Sequence, residues 1–148
     1  MIVSSAELGS LIGRVTMVDG SFDPLHDGHV AYFRAAREIG HPVLCNVTTD
    51  AWTAAKHPVL LPAERRAAVL DAVRWIDYVH VADGPTVEVL GALRPLVYAK
   101  GNDWLARGGV PEEEREACAR LGIEVRYLDT VRNSSSAVLA DFARRSRP

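Results

Sequence analysis

Two histidines stand three residues apart on either side of a glycine in the run from Gly20 to His29, GSFDPLHDGH. A β-branched run, RVTMVDG, precedes these residues, and a helical pattern, HVAYFRAAREIG, overlaps their end. The first turn of a helix offers free N–H donors and partial positive charge, and His26 and His29 would add imidazole donors on one face. Gly28 lets an anion approach the backbone closely. This run is therefore expected to bind a chain of phosphates and to stabilise the charge on a leaving pyrophosphate.

The same residues allow two other interpretations. The histidines could be solvated loop residues, or they could form a metal site with Asp23. No third or fourth ligand stands at the usual spacing, so we predict no metal ligand among the side chains. The sequence contains neither GxxxxGK[ST] nor GxGxxG, which disfavours a P-loop NTPase and an ordinary dinucleotide dehydrogenase.

The elements that must position these residues follow a regular alternation of apolar runs and helical patterns. The apolar runs, each a predicted strand, are RVTMVDG, HPVLCNVTTD, IDYVHVA, RPLVYAKG and IEVRYLD. Continuous apolar runs are typical of parallel strands that are covered on both faces. We therefore predict an α/β chain with a single Rossmann-like, doubly wound domain and a five-stranded parallel sheet with helices on both faces. In such sheets ligands bind outside the carboxyl ends of the strands.

Length and composition indicate one globular domain. The chain has 148 residues, of which 48% are hydrophobic and 24% charged, with a formal net charge of −2. This balance argues against a nucleic-acid binder, and no apolar run is long enough to cross a membrane. We assign residues 14–145 to the domain and residues 1–13 to an N-terminal extension, most simply a short helix on the sheet edge. Cys45 and Cys118 have no partner at metal-ligand spacing, which favours a reduced, cytoplasmic protein.

The run GSFDPLHDGH resembles the GxFDxxHxGH signature of the cytidylyltransferase-like nucleotidyltransferases, the HxGH type. Further segments follow in the family's order after successive strands. Thr48-Thr49-Asp50 is similar to the family's S/T-x-D segment, and Glu64-Arg65-Arg66 is similar to its E-x-R helix start. Lys100-Gly101-Asn102-Asp103-Trp104 is similar to the G-x-D segment, and Ser134-Ser135-Ser136-Ala137-Val138 is similar to the serine-rich helix start. Within the family, the chain resembles both glycerol-3-phosphate cytidylyltransferases and heptose-phosphate adenylyltransferases.

The resemblance implies transfer of an NMP group from a nucleoside triphosphate to the phosphate or phosphonate of a small molecule, with release of pyrophosphate. Mg²⁺ would bridge the phosphates. The acceptor oxygen is already ionised, so alignment and charge neutralisation matter more than proton abstraction. The implied residues are His26, His29 and Lys56 for catalysis; Gly20, Ser21, Phe22, Asp23, Gly28, Asp103, Ser134, Ser135 and Ser136 for the nucleotide; and Arg66, Asp50 and Trp52 for the acceptor.

Several of these residues also have purely structural interpretations. Lys56 could be an ordinary solvated lysine, and Asp103 could serve to form a turn. The three serines could serve as a helix cap without binding a ligand, and Asp23 could be a structural carboxylate. The segment GNDW favours CTP, whereas the lysine before it favours ATP; we lean towards CTP. A homodimer is expected because such relatives often pair.

Two departures from the family pattern support an alternative function. The arginine that the cytidylyl branch often places before the serines is displaced by three positions, to Arg132, and the loop from Asp50 to Leu61 holds a single lysine. A non-catalytic nucleotide-binding module is therefore the second hypothesis.

Overall fold

The computed structural model describes residues 1–130 and 134–148. Within those residues six strands form one sheet, and every neighbouring pair is parallel. The strands are β1 (Ile2–Val3), β2 (Thr16–Gly20), β3 (Val43–Val47), β4 (Tyr78–Val81), β5 (Val97–Gly101) and β6 (Glu124–Leu128). The helices are α1 (Asp27–Glu38), α2 (Asp50–Ala54), α3 (Ala63–Asp71), α4 (Thr86–Leu93), α5 (Asp103–Ala106), α6 (Glu112–Leu121) and α7 (Ser135–Arg145), and a 3₁₀ helix spans Ser5–Leu11.

The strand order reverses beside β2. The order across the sheet is β1-β4-β3-β2-β5-β6, so the chain runs from β2 to one side and then crosses back to β5 and β6 on the other. The gap between the β2 and β5 connections is where open α/β sheets bind ligands. The predicted Rossmann-like α/β fold is confirmed.

The predicted count of five strands is too low, because the N-terminal segment supplies a sixth within the described residues. Ile2 and Val3 pair in parallel with β4 at the edge of the sheet. A strand of two residues is too short to show any periodicity in the sequence. The 3₁₀ helix that follows buries Leu8 and Leu11 against the sheet.

Each face of the sheet carries its own apolar core. In β2, Met17 lies in one core cluster and Val18 in the other, as the two-residue period of a strand requires. Helices α1 and α3 cover the Val18 cluster, while the 3₁₀ helix, α4 and α6 cover the Met17 cluster. Among the described residues, no helix has both the length and the apolar character needed to span a membrane.

Candidate active site

A cavity of about 250 Å³ lies at the carboxyl ends of β2 and β5, where the strand order reverses. It brings together ten of the residues predicted from the sequence, namely Ser21, Phe22, His26, Gly28, His29, Lys56, Asp103, Ser134, Ser135 and Ser136. The remaining wall residues, none of which was among the predicted site residues, are Asp19, Tyr32, His57, Lys100, Gly101, Trp104 and Arg107. Lys100, Gly101 and Trp104 belong to the segment that resembles the family's G-x-D segment. The predicted residues Gly20, Asp23, Asp50, Trp52 and Arg66 do not line this cavity.

The two histidines lie against each other at the start of α1. Their rings are stacked, with centroids 3.7 Å apart and planes 20° apart. His26 Nδ1 accepts a hydrogen bond from Gly28 N at 3.1 Å, and His29 Nδ1 accepts one from His26 N at 3.3 Å. Because both Nδ1 atoms accept, each neutral ring carries its proton on Nε2. The Nε2 of His26 is buried and has no hydrogen-bond partner among the described residues, so it is available to a ligand.

Burial keeps both histidines neutral. It lowers the pKa of His29 to about 3, and repulsion from His26 adds to this effect. Burial also lowers the pKa of His26, although the neighbouring Asp27 opposes the shift. Near pH 7 the two rings can therefore donate N–H hydrogen bonds to an oxyanion, while carrying no positive charge of their own.

Two lysines and Arg107 supply the positive charge of the cavity, and Arg107 pairs with Asp103, with Nη2 3.8 Å from Oδ2. Burial lowers the pKa of Lys56, and repulsion from Lys100 adds to it. Lys100 is 4% exposed, donates to the carbonyl oxygen of Asp19 at 3.3 Å and lies 4.6 Å from the ring centre of Trp104. Two ammonium groups that repel each other across one cavity favour an anionic ligand between them. Lys100 could have been found from its position at the carboxyl end of a strand.

The amino ends of two helices, α1 and α7, face the same cavity. Ser134 precedes α7, and its hydroxyl accepts a hydrogen bond from Ala137 N at 3.1 Å. Ser135 Oγ donates to the carbonyl oxygen of Pro24 at 2.8 Å, which ties α7 to the loop before α1. The serines therefore cap a helix and also line the cavity, so the structural and binding interpretations are compatible. Arg132, the displaced arginine, lies outside the described residues.

Phe22 and Gly20 shape the wall behind the histidines. The Phe22 ring packs edge-on against His29 at 5.0 Å and against Phe33 at 5.1 Å. Phe22 has a positive φ of 52°, and a Cβ atom on Gly20 would lie 2.9 Å from the end of its ring. Gly20 is needed here because any side chain would displace that ring. Gly20 does not border the cavity; it supports His29 indirectly, because it leaves room for the Phe22 ring that packs against His29.

Arg66 is buried below the cavity and does not line it. It is 1% exposed and donates to the carbonyl oxygens of Leu61, Ser21 and Thr48 and to Asp50 Oδ1, at 2.9, 2.7, 3.1 and 2.6 Å. These four hydrogen bonds occupy most of a guanidinium's five N–H groups. The predicted contact with an acceptor therefore does not follow from the position of Arg66. Its geometry ties together the connections that follow β2 and β3.

Asp23 acts as a second tie. Its carboxylate is fully buried and accepts hydrogen bonds from the backbone N–H groups of Leu60 and Leu61 at 2.7 and 2.9 Å. The structural interpretation of this residue fits its position, whereas the cavity wall does not include it. No group of three or more His, Cys, Asp or Glu residues within 1–130 and 134–148 is arranged to hold a metal ion.

Trp52 lines a second, larger cavity of about 600 Å³. The other lining residues are Thr48, Thr49, Ala51, Ala55, Gly84, Pro85, Thr86, Val87, Pro111, Glu113 and Glu114. No lysine, arginine or histidine is among these described lining residues. Thr86 Oγ1 donates to Asp19 at 3.2 Å, and Asp19 lines the first cavity. The two cavities are therefore neighbours that differ sharply in charge.

Comparison with known proteins identifies the family. The family model described as cytidylyltransferase-like matches residues 17–138. The chain is 32% identical to the bifunctional protein HldE of Hahella chejuensis over 138 residues, and 37% identical to that of Streptomyces coelicolor over 141 residues. These matches cover 90% and 91% of this chain but only 28% and 30% of the relatives. The chain thus spans less than a third of the length of either relative.

Solved structures show the same fold at low sequence identity. A lipopolysaccharide core biosynthesis protein from Thermoplasma volcanium has a TM-score of 0.67 at 19% identity, covering 79% of this chain and 97% of that one. A pantothenate synthetase from Thermus thermophilus has a TM-score of 0.62 at 20% identity, covering 90% and 65%. The family model matches most of the sheet and the cavity residues. The chain therefore belongs to the cytidylyltransferase-like family.

Proposed function

We propose that residues 14–145 form a nucleotidyltransferase domain that moves an AMP group from ATP to the phosphate of a sugar or polyol, releasing pyrophosphate. One observation carries the proposal: two histidine N–H donors, two helix amino ends and two lysines surround a single cavity. This is the donor set that a triphosphate tail requires. A homodimer and a cytoplasmic location remain predictions.

ATP replaces CTP as the preferred nucleotide in this proposal. The leaning towards CTP rested on the segment GNDW, and the comparisons give that preference no support. The HldE relatives correspond to the heptose-phosphate adenylyltransferase side of the resemblance. The lysine that precedes GNDW, Lys100, also favours the adenylyl side and lies in the cavity wall.

In this proposal the cavity holds the triphosphate without forming a covalent intermediate. The Nε2–H groups of His26 and His29 donate to phosphate oxygens, and the amino ends of α1 and α7 add their partial positive charge. Lys56 neutralises charge at the pyrophosphate end, and Asp103 faces the ribose or base. Because the rings are neutral, they need not lose or gain a proton during the transfer.

The second cavity suits the uncharged part of the acceptor. Its described lining residues include no cation, but they offer the indole face of Trp52 and the hydroxyls of Thr48, Thr49 and Thr86. Aromatic faces and hydroxyl groups are well matched to a sugar or polyol. The acceptor phosphate would then point to the boundary with the first cavity, near the two lysines. Asp50 and Arg66 support Trp52 indirectly, because their ion pair fixes the start of α2.

Magnesium fits the site as an ion held mainly by phosphate oxygens and water. Mg²⁺ usually takes one or two carboxylates and retains several waters. Asp19 already accepts hydrogen bonds from Asn46 and Thr86 and pairs with Lys100, which leaves its carboxylate poorly suited to bind a metal. When bound, Mg²⁺ would neutralise negative charge on the transferring and leaving phosphates.

A pyrophosphate-release assay tests this function. The chain would be incubated with Mg²⁺ and either ATP or CTP, together with sugar 1-phosphates, glycerol 3-phosphate or no acceptor. We expect release with ATP and a sugar or polyol phosphate, and none with either nucleotide alone. Release with CTP only would restore the cytidylyl alternative. Nucleotide binding without release in any combination would favour the non-catalytic module.

A further inference from the structure

A row of buried polar side chains crosses the sheet from the first cavity. Asp19 on β2 pairs in register with Asn46 on β3, which pairs with His80 on β4, so the three side chains share one face. Asn46 Nδ2 donates to Asp19 Oδ1 at 2.7 Å, and Asn46 Oδ1 lies 2.8 Å from His80 Nδ1. Lys100 completes the row on β5, with Nζ 3.5 Å from Asp19 Oδ2. We call these four residues the polar row.

The chemistry of the row fixes the direction of its hydrogen bonds. An ionised Asp19 can only accept, so Asn46 must turn its amide nitrogen to Asp19 and its oxygen to His80. His80 must then carry a proton on Nδ1. Burial lowers the pKa of His80, although Asp83 opposes the shift, so a neutral ring would leave Nε2 to accept from Ser5 Oγ at 3.0 Å. Ser5 belongs to the 3₁₀ helix, and its Oγ also lies 3.0 Å from Asp83 Oδ2. Because a hydroxyl has one proton, it donates either to His80 or to Asp83 at any moment, and it is this serine that lies at the far end of the row.

The cavity end of the row lies at the boundary between the two cavities. Asp19 lines the first cavity, and Thr86, whose hydroxyl lies 3.2–3.3 Å from both oxygens of Asp19, lines the second. In the proposed function, the acceptor phosphate meets the α-phosphorus of the nucleotide at this boundary. Lys100, held there by Asp19, is thus positioned where negative charge develops during the transfer.

We propose that Lys100 is a catalytic residue for the transfer and that Asp19, Asn46 and His80 are positioning residues that hold its ammonium group. The inference rests on the proposed function. In the step, an acceptor phosphate oxygen forms a bond to the α-phosphorus while the bond from that phosphorus to pyrophosphate breaks. Lys100 keeps its protons and donates hydrogen bonds to the non-bridging oxygens of the α-phosphoryl group.

The row should therefore affect kcat more than the KM for ATP. The tail of the nucleotide is held by the histidines, by Lys56 and by the helix amino ends, none of which belongs to the row. A displaced Lys100 would weaken contacts that matter in the transition state and leave those ground-state contacts intact. A residue that served only the packing of the sheet would not separate the two constants in this way.

A matched pair of variants at His80 provides the test. The amide nitrogen of asparagine can stand in for Nδ1 as donor to Asn46, whereas leucine has similar bulk and no donor. We expect His80→Asn to keep kcat within about 3-fold of wild type, and His80→Leu to lower it about 10-fold to 10²-fold, the scale of a misplaced catalytic group. The KM for ATP should stay within about 2-fold in both. Wild-type kcat in His80→Leu, or equal losses in both variants, would overturn the positioning role.

A second pair keeps the test decisive if His80→Leu does not fold. Ser5 Oγ contacts His80, whereas Ser10 Oγ, near the end of the same 3₁₀ helix, donates to Glu7 O at 2.7 Å. Ser5→Ala should lower kcat and Ser10→Ala should not; equal activity in the two would count against the row. Wild-type protein that releases no pyrophosphate with any acceptor would instead refute the proposed function, before any variant is compared.

Discussion

At the scale of single residues, the backbone around His26 and His29 selects one tautomer of each ring. Backbone N–H groups occupy both Nδ1 atoms, so the proton of each ring is on Nε2. Burial then removes the positive charge that these rings could otherwise carry. The site thereby divides its work between neutral donors that orient oxygens and lysines that neutralise charge.

Removing one histidine donor should slow the transfer strongly. His29→Ala is expected to lower kcat about 10²-fold to 10³-fold, the usual cost of one donor to a developing oxyanion. The measurement is the initial rate of pyrophosphate release at saturating ATP and acceptor. His41→Ala is the control, because His41 hydrogen-bonds Thr16 and does not line the cavity. Unchanged turnover in His29→Ala would remove the histidine from the mechanism.

At the scale of elements, buried polar side chains hold in place the connections that follow the strands. Arg66 on α3 joins the connections that follow β2 and β3, and Asp23 joins the loop before α1 to the residues before α3. These ties let segments far apart in sequence form one cavity wall. Lys56 lies in the connection between α2 and α3, whose far end Asp23 fixes.

From the sequence we could predict which ends of the strands and helices face a ligand. The buried hydrogen bonds of Arg66 and Asp23 could not be predicted in this way. Polar residues in the connections that follow apolar runs, such as His26 and Ser134, were found because the carboxyl ends of parallel strands share an edge. Asp19 was missed as a site residue, since a polar residue inside a buried strand reveals its partner only when the strand order is known. Lys100 entered only as part of a segment that resembles a family motif, with no role of its own. Arg66 matched a family motif, but no pattern along the chain tells a buried arginine from one that faces a ligand.

Replacing the buried arginine should destabilise the fold even when its charge is kept. Lysine cannot reproduce the four hydrogen bonds of Arg66 and would leave buried carbonyl oxygens unpaired. We expect Arg66→Lys to lower the free energy of unfolding by about 2–4 kcal/mol. The neighbouring and exposed Arg65 offers the control, with a change within about 0.5 kcal/mol for Arg65→Lys. Equal urea midpoints for the two variants would contradict this account.

At the scale of the whole molecule, the site places buried titratable groups inside a fold whose two cores are otherwise apolar. Burial lowers the pKa of His26, His29 and His80. The unfolded chain, in which a histidine titrates near its ordinary value of about 6.5, therefore binds protons before the folded chain does. Stability is thus coupled to pH through two rings that would bind the substrate, His26 and His29, and through His80 of the polar row.

The free energy of unfolding should fall as the pH drops below about 6.5. For His29 the loss continues towards the folded pKa of about 3, with a slope of at most about 1.4 kcal/mol per pH unit from this one group. Urea unfolding at pH 7.5, 6 and 5 measures this loss in the free energy of unfolding. His29→Gln cannot titrate at this position and should show a flatter pH dependence than wild type. Parallel curves for wild type and His29→Gln would show that this ring is not the source.

The contrast between the two neighbouring cavities limits what kind of compound can fill both. A molecule that fills both cavities needs two chemically different ends. A polyanionic end would lie beside the histidines and lysines, and a neutral, hydroxyl-rich end would lie beside Trp52. Fragments that carry only one of these characters should settle in one compartment and leave the other empty. An inhibitor that links two such fragments would therefore be selective because it carries negative charge at one end and none at the other.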